Sequence, residues 1–122
     1  MASAPQHAGR LVAVVVTHNR LDQLKRTVAR LLAAPEAELA ALVVCDNASD
    51  DGTAAWLAAQ NDLRLDVIRS DTNIGGAGGV EAGMRHAMAV HSPDWLVLMD
   101  DDARPEPGAI ARFHAGDRAG AE

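Results

Sequence analysis

The chain has 122 residues, 48% of them hydrophobic, with a formal net charge of −6. That length suits one compact domain rather than two, and the apolar content suits a globular core rather than disorder. The acidic balance argues against a basic nucleic-acid groove, although backbone amides or a metal ion can still hold an anion locally.

The core must be aliphatic, because one Phe, two Trp and no Tyr leave Ala, Val and Leu to fill it. A single cysteine, Cys45, rules out an internal disulfide or a cysteine-built zinc site, and reads most simply as a small buried apolar residue. Met1–Arg10 reads as a frayed polar lead-in. Leu11–Val16 is an unbroken β-branched run, too short for a membrane span, and has the pattern of a strand buried on both faces. The chain therefore reads as soluble.

Leu21–Ala34 repeats leucine and valine at helical spacing until Pro35 stops it. Ala41–Cys45 is the second strand, and Ser49–Gln60 opens with capping residues and continues as a short helix. Leu65–Arg69 is the third strand. Asn73–Gly79 reads as a glycine loop ahead of a helix over Val80–His91, with Val80, Met84, Ala87 and Met88 on one face. Trp95–Met99 is the fourth strand, Pro107–Ala115 a last short helix, and Gly116–Glu122 a tail. This β-α-β-α-β-α-β order predicts an α/β domain over residues 11–115, its mostly parallel sheet flanked by helices.

In open parallel sheets ligands sit beyond the carboxyl ends of the strands, so the residues just after each strand carry the functional signal. Asp100, Asp101 and Asp102 follow the fourth strand. Side-chain alternation sends Asp100 and Asp102 one way and Asp101 the other. Two converging carboxylates suit a hard divalent cation such as Mg²⁺ or Mn²⁺; a solvated acidic turn is the alternative. "CDNASDDGT" after the second strand reads either as turn and cap chemistry or as a polar edge for a base or ribose. "NIGGAGG" places bare backbone before a helix N-terminus, an arrangement that favours a diphosphate, but it matches neither the dinucleotide fingerprint nor a Walker loop; a flexible loop is the alternative. No role is assigned to His18.

Together, "VVVTHNR", "VVCDNASDDGT", "NIGGAGGVEAGMRHA" and "WLVLMDDDARP" resemble, in order, the motifs of the donor-binding half of family 2 glycosyltransferases. The resemblance spans about Val12 to Phe113. It implies a GT-A, Rossmann-like three-layer α/β/α fold, cut short relative to the family. It places Thr17, Asn19 and Asp46 around a nucleobase, with Arg20 beside them on the nucleotide. Asn73 and the glycines Gly75, Gly76, Gly78 and Gly79 follow the ribose and diphosphate. Asp100 and Asp102 correspond to the outer positions of a DxD motif, as ligands of Mn²⁺ or Mg²⁺. Asp100 also touches the nucleotide, and Asp101 faces the donor sugar.

The tripled aspartate and doubled glycines look like bacterial rhamnosyl- and galactofuranosyltransferases. They imply a UDP- or dTDP-sugar donor and a glycan or lipid-linked acceptor in polysaccharide biosynthesis. The family inverts the anomeric centre and works in the cytoplasm or at the inner membrane face, with peripheral membrane contact through regions missing here. No residue of Ala103–Glu122 matches its later acidic base motif. A non-catalytic nucleotide- or metal-binding module, or a fragment without the acceptor half, is therefore the alternative. The sheet edge left for later strands would favour a homodimer.

Overall fold

Unbroken Val and Leu runs build the centre of the sheet, and amphipathic or small-residue helices cover it. The structure, a computed structural model, describes residues 9–120, so most of the expected lead-in lies outside the described residues. The elements are β1 Leu11–Thr17, α1 Leu21–Leu32, β2 Ala41–Asn47, α2 Thr53–Ala58, β3 Leu65–Ser70, α3 Gly75–His91, β4 Trp95–Asp100 and α4 Ala109–Gly120. The strands lie in the order β3-β2-β1-β4, and every pairing is parallel.

That order sets which face each helix covers. The chain steps from β1 to β2 to β3 in one direction and then returns past them to β4. Parallel crossovers are right-handed, so reversing the direction switches the helix to the other face. Leu11, Ala13, Val15, Leu42 and Val44 accordingly pack with Leu24, Val28 and Leu31 of α1 and Leu57 of α2. Val12, Val14, Ala41 and Val43 point the other way, against Ala87 of α3. The result is the expected three-layer α/β/α arrangement. Each fully buried leucine of α1 contributes roughly 1.5–3 kcal/mol.

Helix α3 approaches the sheet through its smallest residues. Gly79, Gly83 and Ala87, spaced four apart, are its buried positions. A Cβ on Gly79 would lie 2.6 Å from Val16 Cγ1, and one on Gly83 would overlap Val14 Cγ1. The predicted apolar face is therefore corrected: Met84 and Met88 are 36% and 58% exposed. The periodicity of the large residues pointed to the wrong side because close helix–sheet approach selects glycine.

Three other expectations change. Asn73–Gly79 is not a loop throughout, since α3 starts at Gly75. The final helix runs to Gly120, where a tail was expected from Gly116. β4, read in the sequence as a buried apolar strand, is an edge strand with Trp95 and Leu98 exposed. The ends of α1 are tied by side chains. Asp51 accepts the Leu21 N–H at 3.1 Å, and Arg64 donates to the Leu32 and Ala34 carbonyls at 2.8 and 2.7 Å. These bonds satisfy backbone groups that a helix leaves unpaired at its termini.

Candidate functional site

The sheet reverses its winding direction between β1 and β4, and open α/β sheets place ligands at the carboxyl ends of such a pair. Thr17 ends β1 and Asp101 follows β4, and the Thr17 hydroxyl donates to Asp101 Oδ2 at 2.9 Å. The Thr27 hydroxyl of α1 donates to the Asp101 carbonyl at 2.6 Å. Asp101 is only 3% exposed, and burial pushes its carboxyl above the usual range. The Thr17 bond and the Arg20 charge oppose that rise, while Asp102 and Asp100 add to it. Arg20 also donates to Asp102 Oδ2 at 3.0 Å. Asp101 thus points inward as a fastening, while Asp100 and Asp102 remain exposed. The expected alternation holds along the triplet, and Arg20 offsets part of its negative charge.

Asn47, the last residue of β2, organises the other wall. Its Nδ2 donates to Asn73 Oδ1 at 3.0 Å and to the Gly75 carbonyl at 3.1 Å, and its Oδ1 accepts the Ile74 N–H at 2.9 Å. Asn73 Oδ1 also accepts the Gly75 N–H at 2.9 Å. These bonds aim the start of α3 at the strand ends. A Cβ at Gly75 or Gly76 would meet nothing within 4 Å, so bare backbone is presented there. Gly75 has φ +78°, a left-handed conformation that favours glycine.

Between these walls lies an open cleft of about 800 Å³. Of the predicted site residues, Thr17, Arg20, Asn73, Gly75, Gly76, Asp100 and Asp101 line it. Asp102 lies beside it, on Arg20. The sequence reading missed His18, Asn47 and Arg104, which also line it. His18 Nδ1 lies 2.6 Å from the Asn47 carbonyl, and Arg104 Nη1 donates to Gln23 Oε1 at 3.0 Å.

Four predicted positions are placed differently. Asp46 is fully buried; its Oδ2 accepts Arg69 Nη1 at 2.6 Å and its Oδ1 accepts the Ser49 N–H at 3.1 Å. Strand alternation sends Asp46 to the α2 side and its neighbour Asn47 to the α3 side, where the cleft is. The same period-two argument could have identified Asn47 from sequence once the faces were known. Asn19 links two loops, its N–H donating to Ser49 Oγ at 2.9 Å and its Oδ1 accepting the Asp50 N–H at 2.7 Å. Gly79 packs on Val16, and a Cβ on Gly78 would lie 3.2 Å from Ile74, so neither lies along the cleft.

Residues 12–115 match the description of Glycosyl transferase family 2. The chain belongs to this family. Galactofuranosyltransferase GlfT1 of Mycobacterium tuberculosis (strain ATCC 25618 / H37Rv) is 35% identical over 98 residues, covering 80% of this chain and 32% of the relative. Succinoglycan biosynthesis protein ExoU of Rhizobium meliloti (strain 1021) is 40% identical over 106 residues, covering 85% of this chain and 29% of the relative. The family 2 chain thus spans about a third of the length of the curated relatives it matches. Among solved structures, mannosyltransferase PcManGT from Pyrobaculum calidifontis, in complex with GDP-Man and Mn²⁺, aligns with a TM-score of 0.75. It is 24% identical, and the alignment covers 99% of this chain and 35% of that one. At that identity the likeness carries the fold, and it agrees with the GT-A architecture expected from the motifs. Among the described residues of this family 2 domain, no helix is long and apolar enough to cross a membrane.

Proposed function

We propose that this chain forms the nucleotide-sugar-binding part of an inverting glycosyltransferase dependent on Mn²⁺ or Mg²⁺. One observation carries the reading. A single cleft beyond the carboxyl ends of parallel strands is lined both by Asp100 and by the bare backbone that begins α3. The helix start offers amide groups and the positive end of its dipole to a diphosphate. Arg20 lies at the mouth and can pair with a phosphate oxygen once it is drawn from Asp102. The Asn47–Asn73 pair fixes the geometry of that wall, and the Asp101–Thr17 bond fixes the opposite one.

The exposed carboxylates of Asp100 and Asp102 are hard oxygen donors and fit a small divalent cation. Such an ion, when bound, neutralises charge on the departing nucleoside diphosphate. That a protein of this fold binds GDP-Man and Mn²⁺ supports the reading as fold analogy. The donor in this proposal is a UDP- or dTDP-linked furanose or deoxyhexose and the acceptor a glycan or lipid-linked glycan on the cytoplasmic side; of these, the similarity to a galactofuranosyltransferase supports a furanose. Two copies associating across the open β4 edge is a further part of this proposal; a monomeric mass at high concentration would count against it.

Calorimetry with UDP, dTDP and GDP, each with and without Mn²⁺, tests the site. Metal-dependent binding to one of them is expected. The Asp100→Asn/Asp102→Asn double variant should lose the metal dependence and weaken binding about tenfold or more, the loss of more than one charge-assisted contact. Unchanged binding in that variant would refute the metal assignment. Binding without transfer or donor hydrolysis would favour a binding module.

A further inference from the structure

The amino-terminal side of the sheet, away from the cleft, carries a second cluster of ligating groups. Asp66 lies near the start of β3, and His86 and His91 lie near the end of α3. Both histidine Nε2 atoms sit 2.7 Å from the same oxygen, Asp66 Oδ2. The three ligand atoms all fall within 4.8 Å of one another. The imidazole rings are 6.2 Å apart at an interplanar angle of 72°, so their nitrogens converge without the rings stacking. Side-chain exposures of 28% for Asp66, 28% for His86 and 18% for His91 leave the group partly desolvated yet open to solvent on one side.

We propose that Asp66, His86 and His91 form a binding site for a divalent transition-metal ion of the zinc class, with water completing the coordination. Two imidazoles and one carboxylate are a ligand set suited to Zn²⁺, whereas the all-oxygen pair at Asp100 and Asp102 suits Mg²⁺ or Mn²⁺. Tetrahedral bonds of about 2.0–2.2 Å place neighbouring ligand atoms roughly 3.3 Å apart. The two histidine–Asp66 separations of 2.7 Å need only open by about 0.6 Å, and the two nitrogens already lie within 4.8 Å of each other, so small side-chain rotations suffice. Each histidine would present a lone pair from Nε2 and keep its proton on Nδ1.

Helix α3 ends at His91, where the negative end of its dipole favours a cation; the Arg10 guanidinium, which donates to the His91 carbonyl at 3.1 Å, offsets part of that field, so the direct ligands carry the site. A bound ion would fasten the edge strand β3 to the end of α3. The two histidines stand five residues apart and the carboxylate lies on another element, so no sequence spacing announces the site.

The test uses the full chain without a histidine tag, stripped by a chelator and titrated with Zn²⁺. One ion per chain and a rise in melting temperature are expected. His91→Gln and Asp66→Asn should each weaken Zn²⁺ binding at least about tenfold, because each removes a direct ligand. The Asp100→Asn/Asp102→Asn variant should keep the ion, which separates this site from the cleft. Co²⁺ should give a visible band of tetrahedral type that His91→Gln removes. His91 stands at the helix terminus, and circular dichroism of both single variants verifies that they remain folded. Absence of Zn²⁺ binding to the wild type, or equal affinity in the wild type and both single variants, overturns the proposal.

Discussion

Replacing Gly79 with alanine sets a methyl group 2.6 Å from Val16 Cγ1 in the central strand. Ordinary contact starts at 3.4 Å. Helix α3 must therefore withdraw by about 0.8 Å, or Val16 must leave its rotamer, and overpacking of this kind costs roughly 1–3 kcal/mol. Alanine returns about 1 kcal/mol through its better helix propensity. The expected net loss is up to about 2 kcal/mol and centred on about 1 kcal/mol, read as a fall of about 0.5–1 M in the urea midpoint at a slope of roughly 1–2 kcal/mol/M. Gly76→Ala is the control, because its added methyl meets nothing within 4 Å. It should be neutral or more stable by about 0.4–1 kcal/mol. Withdrawal of α3 also moves Asn73 and Gly75, so Gly79→Ala should bind nucleoside diphosphate more weakly under conditions where it is fully folded. A Gly79→Ala protein as stable as wild type, with unchanged binding, would refute the close seating of α3 on β1.

Other substitutions probe the fastenings around the cleft. Arg69→Ala leaves the buried Asp46 carboxylate without its cation and should cost about 2–4 kcal/mol, toward the lower end because Arg69 is itself 40% exposed. Equal urea midpoints for Arg69→Ala and wild type would contradict that pairing. Asn47→Ala removes three hydrogen bonds at the start of α3 and should cost about 1–3 kcal/mol, with faster amide exchange at Ile74 and Gly75; unaltered exchange there would count against the bridge. Burial, then the Asp46 charge, pushes the Cys45 thiol above its ordinary value. A raised folded-state value means its contribution is fully present below the unfolded thiol value of about 8.5 and is lost as pH rises through the folded one. Wild-type stability should therefore fall more steeply than that of Cys45→Ala above about pH 8.5, and parallel urea midpoints from pH 7 to 10 would exclude the effect.

Much of this was legible in the residues themselves. Leu11–Val16 read as a strand buried on both faces and Ala41–Cys45 as a second strand, and their alternation with helical segments pointed to a parallel sheet. The strand-end motifs placed Thr17, Arg20, Asn73, Gly75, Gly76 and Asp100 at one edge, and all six line one cleft. Period-two alternation also separated Asp101 from its neighbours in the triplet.

Contacts between distant segments decided the rest. Sequence order does not say which face of β2 meets α3, so Asp46 and Asn47 were indistinguishable until the return to β4 fixed the helix on one side. Large apolar residues dominate a periodic pattern, so the pattern could not show that α3 docks through Gly79 and Gly83 and leaves Met84 and Met88 outside. Asp66, His86 and His91 come from two elements joined by no local spacing rule. Local side-chain preference determined the elements and the polar strand ends. Long-range packing, through handedness and close approach, determined which of those groups face each other.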